Sequence, residues 1–170
     1  MIKNIIGSAI IMALVSFDVN ANQGQVNFKG TVIDAPCGID SKSADQSIDF
    51  DQISKTHLTN NNTSKHENVN IKLVNCDLAG QKKTVAITFS GSFLGDGTEL
   101  GTSGDTGTAI KISTATGDFV KFDGATPAGV YNLKAGDNTM RYSAWVQKAT
   151  GKDVKEGEFA AVANFNLTYQ

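Results

Sequence analysis

Two cysteines, two prolines, two histidines and one tryptophan are all that the 170 residues hold of those four types. Neither Cys37 nor Cys76 has a CxxC neighbour, and His57 and His66 are distant from both, so no metal-ligand set is spelled out. Excess charge of one sign is missing too: 15 Lys and Arg stand against 17 Asp and Glu, a net of −2. There is no basic patch to meet nucleic acid or an anionic membrane, so partners have to be found by shape and backbone hydrogen bonding. No HExxH, GxSxG or nucleotide-binding motif recruits His57 or His66, which read as surface histidines. The chain therefore reads as a non-enzyme with no cofactor. Asp96, Glu99 and Asp105 miss the spacing of a calcium loop and read as acids of solvated turns. Asn61, Asn62 and Asn166 fit the N-x-Ser/Thr pattern, which alone is a weak signal.

No apolar run is long enough to span a bilayer. The stretch Ile5 to Phe17 is thirteen residues, preceded by Lys3 and followed by Val19-Asn20-Ala21, the layout of a cleaved signal peptide over 1–21. Export makes the cysteine count informative. An even number in an exported chain reads as a disulfide, Cys37–Cys76, closing a loop of about forty residues worth roughly 4 kcal/mol in the chain-entropy model.

Glycine is abundant, with 17 residues, and helical periodicity is absent beyond the leader. The mature chain reads as one all-β domain, a sandwich of short strands between Gly, Asn, Asp and Ser turns. Expected strands are 26–33, 46–50, 69–74, 84–90, 108–114, 121–122, 130–133, 138–147 and 158–169, with polar loops at 58–67 and 94–107. Trp145 falls on the face opposite Tyr142, Ala144 and Val146 and is given no functional role.

The two ends carry the clearest alternation. Phe159, Ala161, Ala163, Phe165, Leu167 and Tyr169 share one face of the last segment; Val26, Phe28, Gly30 and Val32 share one face of the first. The first segment is either the opening strand of its own sandwich or a strand offered to another molecule by β-augmentation.

Several motifs then resemble one family. Phe28-Lys29-Gly30-Thr31-Val32 before Ala35-Pro36-Cys37, the run Ser43 to Phe50, Leu73-Val74-Asn75-Cys76 and the ending Ala163 to Gln170 resemble the chaperone–usher pilins of Gram-negative bacteria. The resemblance is greatest to major rod subunits of P pili, with type 1 pilins further off. Gly157, fourteenth from the C-terminus, the penultimate Tyr169, and Gly30 seven residues before Cys37 match the same pattern.

The resemblance implies an incomplete immunoglobulin-like sandwich over 36–170, lacking its last strand, with a donor-strand extension over 22–35. Val26, Phe28, Gly30 and Val32 would enter a neighbour's groove, and Gly157, Phe159, Ala161, Ala163, Phe165, Leu167 and Tyr169 would form the strand beside that groove. Implied partners are neighbouring pilin subunits in a homopolymer, a periplasmic chaperone and an outer-membrane usher. The implied location is a fimbrium on the cell surface, reached through the periplasm. Competing readings are a minor, adaptor or terminating pilus subunit, and a secreted carbohydrate-binding sandwich using Trp145.

Overall fold

The alternation seen in the sequence becomes two antiparallel sheets facing one another. The computed structural model describes residues 25–170, so the expected leader over 1–21 lies outside the described residues. Residues 25–33 and 34–170 belong to separate units. The strands are β1 (Gly38–Ile39), β2 (Glu67–Cys76), β3 (Thr84–Gly91), β4 (Phe93–Leu94), β5 (Glu99–Gly101), β6 (Thr108–Thr114), β7 (Asp123–Asn132), β8 (Gly136–Lys148) and β9 (Ala163–Tyr169). One sheet has the order β1-β2-β8-β6-β5-β4 and the other β7-β3-β9.

The core forms where the period-2 faces meet. Ile71 and Leu73 of β2, Met140 and Val146 of β8, Val85 and Ile87 of β3, and Phe122 before β7 are buried to 2% exposure or less. Each such side chain contributes about 1.5–3 kcal/mol on leaving water. Tyr142 lies among them, edge-on to Phe89 at 5.2 Å, and burial pushes its phenol pKa up.

Several expected elements differ. Residues 26–33 form no strand, and Val26, Phe28 and Val32 are exposed, because no ladder partner is present to fix them. Residues 46–50 do alternate, with Gln46, Ile48 and Phe50 half-buried and Ser47 and Asp49 exposed, yet no ladder bonds them into a strand. The expected strands at 121–122 and 130–133 are replaced by one strand, β7, with Lys121 and Phe122 just outside it. Register shifts opposite Ala86, Thr88 and Ser90 break its alternation, and Pro127 stands within it, so its period is not visible in the sequence.

The expected loop 94–107 contains β5, where Glu99 is buried and accepts hydrogen bonds from Gln147 Nε2 at 3.1 Å and from the Thr150 amide and hydroxyl at 3.0 and 2.8 Å. The expected loop 58–67 begins inside a helix. That helix, α2 (Lys55–Thr59), is capped by the Ser54 side chain and buries Leu58, while the shorter α1 (Ser41–Ala44) is capped by Asp40.

Candidate functional site: an open groove beside the last strand

The final strand is a sheet edge with core chemistry on its inner face. β9 pairs with β3 from Val85↔Tyr169 through Gly91↔Ala163 and, among the described residues, has no neighbour on its other side. Thr84 and Gln170 exchange both backbone hydrogen bonds at 3.0 Å. In an antiparallel ladder that pattern alternates, so Asn164, Asn166 and Thr168 turn their amides and carbonyls toward β3. Ala163, Phe165, Leu167 and Tyr169 turn theirs toward the open edge. These four also point their side chains inward, so the same residues present a donor-acceptor row and an apolar row.

Burial along this wall is incomplete at every inward position. Phe159, Ala161, Ala163, Phe165, Leu167 and Tyr169 are all half-buried and every residue between them is exposed, whereas Val85 and Ile87 on the adjacent strand are 0% exposed. Between β9 and the extended segment 46–50 runs a groove of about 710 Å³, floored by Phe89, Ile112 and Ala144 and flanked by Ile48 and Phe50. Both flanking segments alternate like strands, and among the described residues each lacks a ladder partner on the groove side. The gap is one strand wide in chemistry: backbone groups to satisfy on β9, and apolar pockets beneath.

Covalent and hydrogen-bonded ties hold the frame. Cys37 and Cys76 form a disulfide across a sequence separation of 39, joining the start of the domain to the end of β2. The Asp77 amide donates to the Pro36 carbonyl at 2.9 Å, and the Tyr169 hydroxyl donates to the Cys37 carbonyl at 3.5 Å. Partial burial raises the Tyr169 phenol pKa, which keeps that hydroxyl a donor. Gly157 precedes the wall at φ +147°, a conformation that side chains rarely adopt, and there the chain turns past Thr106 toward β9.

The remaining candidate chemistry does not converge. His57 Nε2 lies 2.9 Å from the Thr63 carbonyl, while His66 stacks on Trp145 at 4.4 Å and 7°. Asp96 accepts from the amide and hydroxyl of Thr98, Asp105 pairs with Lys155 at 2.6 Å, and Glu99 is engaged with Gln147 and Thr150. Hydrogen bonds from Thr98 lower the Asp96 pKa, and the Lys155 ammonium lowers that of Asp105. Trp145 projects from the outer face of β8, but His66 covers its ring and Phe119 approaches edge-on at 6.0 Å, leaving it 7% exposed. A sugar ring has no free indole face to stack on.

Sequence reasoning named the inner face of the last segment but missed the opposite wall. The signal was present: Ile48 and Phe50 alternate with Ser47 and Asp49, a strand pattern whose missing ladder is itself the clue.

Comparison with known proteins agrees with this geometry. A family model described as fimbrial protein matches residues 26–170. KS71A fimbrillin of Escherichia coli is 51% identical over the full length of both chains, and the Pap fimbrial major pilin protein of Escherichia coli is 49% identical, again over the full length of both. The crystal structure of the P pilus rod subunit PapA superposes with a TM-score of 0.75 at 48% identity, covering 80% of this chain and 100% of that one. A subunit in a chaperone–usher pilus structure superposes with a TM-score of 0.83 at 47% identity, covering 91% of this chain and 100% of that one. With its immunoglobulin-like pilin fold and a last strand paired along one edge and open along the other, this chain belongs to the fimbrial protein family and is a structural pilus subunit.

Proposed function

We infer that this chain is a major rod subunit that polymerises by donor-strand exchange, residues 22–35 of one copy filling the groove in domain 36–170 of the next. The observation that carries this is β9: four consecutive inward residues, Ala163, Phe165, Leu167 and Tyr169, are left half-buried with their backbone groups facing an open edge. The arm has matching chemistry. Val26, Phe28 and Val32 are apolar plugs, each contributing about 1.5–3 kcal/mol when fully covered. Gly30, without a side chain, suits the place where donor and groove backbones approach most closely.

Before assembly, a periplasmic chaperone lends a strand along Phe159 to Tyr169, and an outer-membrane usher is where the exchange occurs. The leader 1–21 directs the chain through the periplasm to the cell surface. The subunit carries no catalytic role; its chemistry is a strand replacement. Because the contact joins unlike surfaces, repetition gives an open fibre rather than a closed ring.

Two results test this. The mature chain expressed without a chaperone is expected to self-associate on size-exclusion chromatography, because pairing with another copy's arm takes the open apolar edge out of water unless the chain's own arm folds back into the groove. A long-lived monomer whose arm is accessible to protease would overturn the reading. Gly30→Val is expected to abolish fibres, seen by electron microscopy, while the subunit still co-purifies with the chaperone. Normal fibres from that variant would remove Gly30 from the joint.

A further inference from the structure

The two walls of the groove differ in charge. Beyond Glu158 the β9 wall has no acidic or basic side chain. The opposite wall belongs to a segment, residues 36–51, that holds Asp40, Asp45, Asp49 and Asp51 against Lys42 alone, four negative charges less one positive, or −3. Asp45 lines the groove itself, and Asp49 projects to solvent between the half-buried Ile48 and Phe50. Among the described residues neither carboxylate forms an ion pair. The one hydrogen bond to Asp49 comes from the Asp51 amide at 2.8 Å.

The alternating part of the arm, ahead of Asp34, has the complementary sign. Residues 22–33 contain one ionisable side chain, Lys29. With Val26, Phe28, Gly30 and Val32 turned into the groove, Lys29 stands on the outer face of the inserted strand. A strand seated beside 46–50 lies about 4.8 Å away. Outward side chains on neighbouring strands then have Cβ atoms roughly 5 Å apart, well within the reach of a lysine.

We propose that Asp45 and Asp49 form an electrostatic guide that reads Lys29 of an incoming second copy, speeding insertion and favouring strands with a cation at that position. The inference rests on the strand-exchange reading above. Since the three groups are solvent-exposed, the guide acts on the rate of encounter more than on final affinity, and salt screens it. Apolar plugs supply the affinity; the charge pair supplies the choice.

The test uses the mature subunit held in complex with its chaperone, which prevents self-association, and a fluorescent synthetic peptide of residues 22–33, with incorporation followed by anisotropy at low and high salt. The wild-type peptide is expected to insert about tenfold faster at 20 mM than at 500 mM NaCl, within the range of electrostatic steering. The K29E peptide should insert about tenfold more slowly than wild type at low salt, with the two rates converging at high salt. On a D45N/D49N subunit, whose substitutions keep size and hydrogen-bonding capacity, the two peptides should insert at similar rates at either salt. Equal rates for the K29E and wild-type peptides on the unmodified subunit at 20 mM would overturn the guide while leaving strand exchange intact. Failure of the wild-type peptide to insert at any salt would overturn the strand-exchange reading and the guide with it. A Phe28→Asp peptide, expected not to insert, serves as the control for specific seating.

Discussion

Cells producing Phe28→Asp in place of the wild-type chain are expected to carry no fibres, although the variant subunit still accumulates in complex with its chaperone. Phe28 is 90% exposed in the arm, so the substitution disturbs nothing within the subunit that carries it. The cost falls entirely on the joint. Removing an aromatic plug forfeits about 1.5–3 kcal/mol of burial, and placing a carboxylate in an apolar pocket without a partner adds a desolvation penalty of several kcal/mol. A combined loss of about 5 kcal/mol shifts the exchange equilibrium by 10³-fold or more. A rod contains one such joint per subunit, so a shift of that size at every joint ends growth after a few additions. Electron microscopy together with chaperone pull-down checks both halves of the expectation. Fibres of ordinary length would show that Phe28 is not in the joint.

The double variant Cys37→Ser, Cys76→Ser is expected to lose most of its soluble subunit. A bridge across a separation of 39 residues removes denatured-state entropy worth about 4 kcal/mol. A domain of this size has a total stability of about 5–15 kcal/mol. A sandwich with an unfilled groove sits toward the low end of that range, because its last strand leaves apolar surface in water. The disulfide also holds the Cys37 carbonyl where the Tyr169 hydroxyl reaches it, so its loss loosens one end of β9. Periplasmic yield and the thermal unfolding midpoint of the chaperone-free chain are the measurements. An unchanged midpoint would show that the bridge contributes little beyond the contacts around it.

How much of this was legible in the sequence depended on whether the period survived. The strand at 69–74 was readable because it alternates without interruption and buries one face, while those at 84–90, 108–114 and 138–147, which bury neighbouring residues on both faces in places, were readable as runs rich in β-branched and aromatic residues bounded by turn residues. β7 was not, since shifts of register opposite β3 reset its alternation. The helix α2 was hidden because one turn, capped by Ser54, buries a single residue, Leu58. Glu99 looked like a loop acid and is a buried acceptor satisfied by Gln147 and Thr150, partners roughly fifty residues away that no local pattern announces.

The candidate site divides in the same way. The inner face of the last segment was readable, because Phe159 through Tyr169 alternate without a break. Its incompleteness was legible through the family resemblance and not through the alternation, since a strand with one neighbour and a strand with two have the same sequence pattern. Only the half-burial of all six inward residues separates them. The segment 46–50 shows the converse: the sequence has the pattern of a strand, and the single chain withholds its partner.

The tie between Cys37, Tyr169 and the end of β2 has a mechanical consequence. On the strand-exchange reading, load in a fibre under tension enters each subunit through the arm and crosses the disulfide directly into β2, a member of the six-stranded sheet, instead of peeling β1 and the ladder-less segment 46–50 away. Load leaves through a donor strand lying along β9, whose hydrogen bonds run perpendicular to the pull. The joint is therefore strained in shear, with every bond along the edge stretched at once, and no end from which it can be unzipped one bond at a time.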